Sequence, residues 1–263
     1  MLKFDHNGIS LAYIDVPPAP ADGQEQGQEQ GRVALLIHGF ASNHSVNWIG
    51  PQWIKSLAGA GYRVIAIDNR GHGKSDKLYD PAQYHTGLMA DDAAALLDHL
   101  EIPSAYVIGY SMGARISAFL ALRHPEKVAA LAMGGLGIHL VEGVGLPMGI
   151  AYALEADSLA SVTDPMGKMF RAFAEQTGSD LRALAACIRG SRQTLESSEV
   201  GRITAPTIVC VGTNDPIAGD PHKLAAMFPH GVAFDIVGRD HGLAVGDKTH
   251  REAVVNYFNS VIK

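Results

Sequence analysis

The sequence predicts an α/β fold: an open, mostly parallel sheet of eight strands with helices on both faces. Three observations carry this. Short, almost wholly apolar runs of strand length recur at 32–37, 64–67, 105–108, 128–133 and 206–211, and a strand without polar alternation is one buried on both faces, as in a parallel sheet. Segments of helical periodicity separate these runs, with short connections. The pentapeptide Gly109-Tyr110-Ser111-Met112-Gly113 joins one apolar run directly to a helix-like run. Its glycines stand two residues either side of one serine, as a sharp strand-to-helix turn requires.

In chain order, 2–5 and 9–16 read as a hairpin. Asn7-Gly8 between them supplies the positive φ angles of a two-residue turn. Residues 17–31 are polar and repetitive and read as a mobile loop without function. The first buried strand, 32–37, leads into His38-Gly39-Phe40. A helix is expected at 48–57, ended by Gly59-Ala60-Gly61, then a strand at 64–67. The loop at 68–76 follows, reading Asp-Asn-Arg-Gly-His-Gly-Lys-Ser-Asp. Helical periodicity covers 84–100. After the strand at 105–108 and the serine turn come a helix at 114–123 and a strand at 128–133.

The alternation breaks at 136–203. Its first part is an apolar loop, and 128–154, broken by glycines and Pro147, does not read as a membrane helix. Its second half is helical. Asp164-Pro165 opens one helix, with Asp as cap and Pro in the first turn, and Ser179-Asp180 opens another. We expect a helical cap at 136–203, inserted between the sixth and seventh strands of a core formed by 1–135 and 204–263. The core pattern resumes with a strand at 206–211, a helix at 222–227, a strand at 233–237 and a last helix at 247–262.

Composition narrows the function. With 263 residues, 47% of them hydrophobic, the chain can bury one large core. The net charge of −6 and the lack of a basic run argue against nucleic acid and anionic membrane as partners. Cys187 and Cys210 have no metal-type spacing and suggest no disulfide framework, and the N-terminus has no apolar signal core. A cytoplasmic protein, monomer or homodimer, is expected. The histidines show no ligand spacing, so no metal and no cofactor is expected.

Ligands bind open parallel sheets at the carboxyl ends of the strands, where Ser111, Asp215 and His241 all fall. A serine nucleophile needs a base, an orienting acid for that base, and donors for the developing oxyanion. Ser111 at the apex of the turn is the candidate nucleophile. His241, in a Gly-bounded loop after a late strand, is the candidate base, with His250 as its rival. Asp215, stiffened by Pro216, is the candidate acid, against Asp240 and Asp220. The backbone N–H groups of Phe40 and Met112 are the oxyanion candidates, and Gly39 lets the backbone approach substrate. His38 and the charged side chains at 68–76 read as structural.

On His38-Gly39-Phe40, the 68–76 loop, the serine pentapeptide, Asp215 and His241, in this order and spacing, the sequence resembles the α/β-hydrolase superfamily over nearly its whole length. The resemblance implies Ser111 as nucleophile, Asp215 as acid, His241 as base, and Phe40 and Met112 as oxyanion donors. Members that open epoxides or displace halide carry aspartate at the serine position, so Ser111 disfavours both activities. Serine suits acyl transfer, and the expectation is a carboxylesterase- or lactonase-like enzyme (EC 3.1.1) acting on a small ester or lactone. The Ser-Met-Gly turn also resembles enol-lactonases, cofactor-free perhydrolases and C–C bond hydrolases. A non-catalytic ligand-binding protein on the same scaffold is the alternative from another class. Trp48, Met148, Tyr152, Met169, Phe170 and Phe173 are candidate pocket residues, and Arg189 or Arg192 could meet a substrate carboxylate.

Overall fold

The computed structural model describes residues 1–20, 32–143 and 147–261. Most of the polar loop expected at 17–31, and the last residue of the helix expected at 247–262, lie outside them. The hairpin pairs β1 (Leu2–His6) with β2 (Ile9–Val16). Asn7 and Gly8 at its turn have φ of 53° and 77°. β2 also runs antiparallel to β4 (Arg63–Ile67). The pairings among β3 (Val33–Ile37), β4, β5 (Ala105–Tyr110), β6 (Val128–Gly134), β7 (Thr207–Gly212) and β8 (Gly231–Ile236) are all parallel. The sheet has eight strands in the order β1-β2-β4-β3-β5-β6-β7-β8.

Successive side chains on a strand point to opposite faces, so an apolar run feeds two cores at once. Leu35 and Ile37 of β3 join one core, Ala34 and Leu36 the other. Ile65 and Ile67 of β4 face the first; Val64 and Ala66 face the second. Fully burying one such leucine or isoleucine contributes about 1.5–3 kcal/mol. The second core is closed by Trp53 and Leu57 of α1 (Trp53–Gly59). The first is closed by α2 (Thr86–His99) and α3 (Met112–Arg123).

Between β6 and β7 stand α4 (His139–Glu142), α5 (Gly149–Glu155), α6 (Pro165–Gln176), α7 (Leu181–Gly190) and α8 (Ser197–Val200). Asp164 caps α6 by accepting from the Gly167 N–H, and Asp180 caps α7 by accepting from the Ala183 N–H. The chain ends with α9 (Pro221–Ala225), α10 (His241–Ala244) and α11 (Lys248–Ser260), the last adding Val254 and Phe258 to the second core. Among the described residues no helix is long and apolar enough to cross a membrane.

Three expectations are corrected. The helix expected at 48–57 is broken in two. A π-helical turn at Ser45–Ile49 ends before Pro51, Gln52 takes a φ of 67°, and α1 starts at Trp53. Proline has no N–H to continue a helix. The apolar loop expected in the first part of 136–203 contains α4 and α5, because Ile150, Ala151, Ala153 and Leu154 have a core to pack against. His241 is not in an open loop: it is the first residue of α10, where Asp240 caps the helix by accepting from the Leu243 N–H at 2.8 Å.

Candidate active site

The turn after β5 is sharp and strained. Ser111 has φ 54° and ψ −112°, a backbone state that costs on the order of 1–3 kcal/mol and persists only where the surroundings impose it. Two glycines impose it here. A Cβ on Gly113 would run into the backbone carbonyls of Ile37 and His38, and one on Gly109 into Gly113 and Ser117. The Ser111 N–H donates to the Gly134 carbonyl at 2.8 Å, tying the turn to β6. The hydroxyl is thus held above the sheet edge at the start of α3.

His241 Nε2 lies 3.0 Å from Ser111 Oγ, and His241 Nδ1 lies 2.7 Å from Asp215 Oδ2. An ionised carboxylate can only accept, so Nδ1 carries the proton and Nε2 is left to accept from the serine hydroxyl. The Asp215 side chain is fully buried. Its other oxygen accepts from the Ile217 and Ala218 N–H groups at 2.8 and 3.1 Å, which locks the turn after β7. The rivals are occupied elsewhere. Asp240 caps α10, Asp220 caps α9, and His250 is buried with Nδ1 donating to the Ala244 carbonyl at 3.0 Å.

The Phe40 loop lies directly behind the serine. A Cβ on Gly39 would stand 3.4 Å from Ser111 Cβ. Met112 is the first residue of α3, where a helix N–H has no partner within the helix. His38 is fully buried; its Nε2 accepts from the Asn69 N–H at 3.0 Å, so its Nδ1 donates to the Gly39 carbonyl at 2.8 Å. Burial pushes its pKa down, and it shapes this loop as a neutral ring. The loop at 68–76 is a hydrogen-bonded network. Asp68 accepts from the N–H and ring of His44 and from the Lys74 N–H, and Arg70 forks onto Asp92. Burial alone would raise the Asp68 pKa, but these donors hold it below the usual carboxylate range.

Two cavities meet at Ser111. The larger, about 1050 Å³, is lined mainly by apolar side chains, including Met166, Met169, Phe170 and Phe173, and has His241 in its wall. The smaller, about 70 Å³, is lined by Met112, Arg115, Leu136, Ile188, Ser191 and Arg192. Phe40, Ser111 and Ile217 belong to both.

Of the expected pocket residues, Met169, Phe170 and Phe173 face the larger cavity, and three others do not line either one. Trp48 is fully buried, its ring edge-on to Trp53 at 5.8 Å, because the π-helical turn aims it into the core. Tyr152 is 67% exposed, since α5 buries the residues on either side of it, and Met148 precedes that helix at the surface. Arg189 is also outside: it forks onto Glu155 at 2.6 and 2.7 Å and lies over the Tyr152 ring. Arg192 lines the smaller cavity.

Three residues beside the serine have no distinct signal in the sequence. Asn47 Oδ1 accepts from the Gly39 N–H at 2.7 Å and pins the Phe40 loop. The Tyr110 hydroxyl donates to the His241 carbonyl at 2.5 Å. Arg115 donates to the backbone carbonyls of Gln193, His139 and Leu140. Burial, with Arg192 nearby, lowers its pKa to about 10, still cationic at neutral pH. Among the described residues no cluster of His, Cys, Asp or Glu could hold a metal ion.

Comparison with known proteins agrees with this fold. A family model described as the alpha/beta hydrolase fold matches residues 33–140. Epoxide hydrolase B of Mycobacterium tuberculosis is 34% identical over 141 residues, covering 52% of this chain and 35% of that protein. The 2-hydroxymuconate semialdehyde hydrolase of Pseudomonas sp. strain CF600 is 39% identical over 113 residues, covering 41% and 38%. The chain therefore spans little more than a third of the length of these two relatives. Over almost the whole chain, the crystal structure of the enol-lactonase from Burkholderia xenovorans LB400 superposes with a TM-score of 0.78 at 20% identity, covering 98% of this chain and 100% of that one. The chain therefore has the α/β-hydrolase fold, and its residues 33–140 match the model of that family.

Proposed function

We propose that this chain is a serine hydrolase that cleaves a carboxylic ester or lactone through an acyl-enzyme. The observation that carries this is the hydrogen-bonded line from Ser111 through His241 to Asp215, at 3.0 and 2.7 Å. His241 removes the proton as Ser111 Oγ bonds to the carbonyl carbon. The N–H groups of Phe40 and Met112 receive the oxyanion, and Asp215 balances the imidazolium. His241 then protonates the departing oxygen, and the same ring activates the water that releases the acid. Helices α4 to α8 act as a cap over the site. Serine at the apex argues against epoxide opening despite the likeness to epoxide hydrolase B. The test is Ser111→Ala, expected to lower turnover of p-nitrophenyl acetate by about 10⁴-fold or more and to abolish fluorophosphonate labelling, with the melting temperature preserved. Retained turnover in a clean preparation would remove Ser111 from this role.

A second reading, C–C bond hydrolysis on the same residues, draws on Arg115 and Arg192 in the smaller cavity, which suit a substrate carboxylate. It predicts turnover of a 2-hydroxymuconate-type semialdehyde, followed by loss of its absorbance.

A further inference from the structure

The two cavities differ in which reacting groups they contain, and this assigns the two halves of a substrate. In acyl transfer the carbonyl carbon held by Ser111 bears an acyl chain and a leaving group. The base must deliver its proton to the leaving oxygen, so the leaving group lies on the His241 side. His241 is in the wall of the larger cavity and not of the smaller. The alcohol therefore faces the larger cavity, and the smaller one, which also opens at Ser111, is left to the acyl chain.

Their sizes and linings then set the chemistry. The smaller cavity, about 70 Å³, has less than a tenth of the space of the larger, about 1050 Å³. Its Arg115 wall cannot swing aside, because the guanidinium is anchored on carbonyls at residues 139, 140 and 193. The Ile188 wall is itself buried, 4% exposed. The larger cavity has a mainly apolar lining that includes Met166, Met169, Phe170, Phe173 and Leu243, with Arg239, Asp240, Asp247 and Lys248 also in its wall.

We propose that the enzyme is selective for esters that join a short acyl group to a bulky apolar alcohol. The proposal rests on the serine-hydrolase reading above. In the first step the Ser111 Oγ–acyl carbon bond forms, the carbon–alkoxy bond breaks, and the serine proton leaves with the alcohol by way of His241. Water then breaks the acyl–serine bond and releases the short acid.

The experiment measures kcat/KM for acetate, butanoate, hexanoate and octanoate esters of two alcohols of similar basicity, ethanol and 2-cyclohexylethanol. With cyclohexylethyl esters, kcat/KM is expected to fall about tenfold or more from butanoate to octanoate. With acetates, it is expected to rise about tenfold or more from the ethyl to the cyclohexylethyl ester, as filling an apolar pocket gives. Two variants locate the effects. Ile188→Ala should raise the octanoate-to-acetate ratio and leave the alcohol ratio unchanged. Phe173→Ala should lower the alcohol ratio and leave the acyl ratio unchanged.

An acyl profile that stays flat to octanoate, a preference for ethyl esters, or an exchange of the two variants' effects would overturn the assignment. Fluorophosphonate labelling of Ser111 without turnover of any of these esters would overturn it too. Each of these outcomes leaves Ser111 as the nucleophile, whereas turnover that survives Ser111→Ala would sink the serine reading itself.

Discussion

His241 and His250 stand nine residues apart at the same end of the sheet, and they differ in almost everything that governs chemistry. His241 presents one ring nitrogen to a carboxylate and the other to a serine hydroxyl in the wall of a cavity. Its side chain is 16% exposed. His250 is buried, its ring 4.9 Å from that of Trp53 and 6.2 Å from that of Tyr110, and its Nδ1 donates to a backbone carbonyl. Burial lowers its pKa to about 4. The difference teaches that a histidine becomes a base through a carboxylate on one nitrogen and access on the other. Without them it is a packing residue that stays neutral.

The strongest attempt to break the comparison is His241→Ala. On the proposed reading it lowers kcat for a short ester by about 10⁴- to 10⁶-fold, and an unchanged melting curve would show that the loss is chemical. Asp215→Asn sharpens it. The amide can donate to Nδ1 and favour the wrong tautomer, so kcat should drop by about 10⁴-fold, measured with KM across the same substrate series. A loss below about tenfold would mean that Asp215 only braces its turn.

His250→Gln is the counterpart, expected to change kcat/KM by less than about tenfold while acting on stability. Between the unfolded histidine pKa near 6.5 and the folded value of about 4, the unfolded chain holds one more proton than the native one at this position. Native stability therefore falls as pH drops through that window and is regained as pH rises. His72, lowered by burial to about 3, pulls in the same direction. Urea unfolding at pH 7 and pH 4.5 should show a smaller acid loss in His250→Gln than in the parent, by up to roughly 3 kcal/mol. An equal acid loss in both would place the proton uptake elsewhere.

The position of Ser111 is legible because its constraint is local. Gly109 and Gly113 stand within two residues of it, and the collisions that demand glycine arise from neighbouring strand and helix backbone. The hairpin turn at Asn7-Gly8 is legible for the same reason. The choice between pocket and core for Trp48 was not legible, because periodicity cannot show which way a turn faces once Pro51 interrupts it. Tyr152 and Phe170 look alike as aromatic residues on helices, yet one faces solvent and the other the larger cavity. Arg189 and Arg192 are three residues apart, and only the second reaches the serine's side.

By itself the sequence determined the alternation of strands and helices, the serine turn, and the order of the residues at the strand ends. Those features depend on backbone sterics, apolar patterning and turn chemistry, which act over a few residues. Only the tertiary structure decided that His241 rather than His250 faces Ser111, that Arg115 walls a small cavity, and that the space on the His241 side is large and mainly apolar. Each joins residues from distant segments, and their distances follow from how the sheet and its covering helices pack.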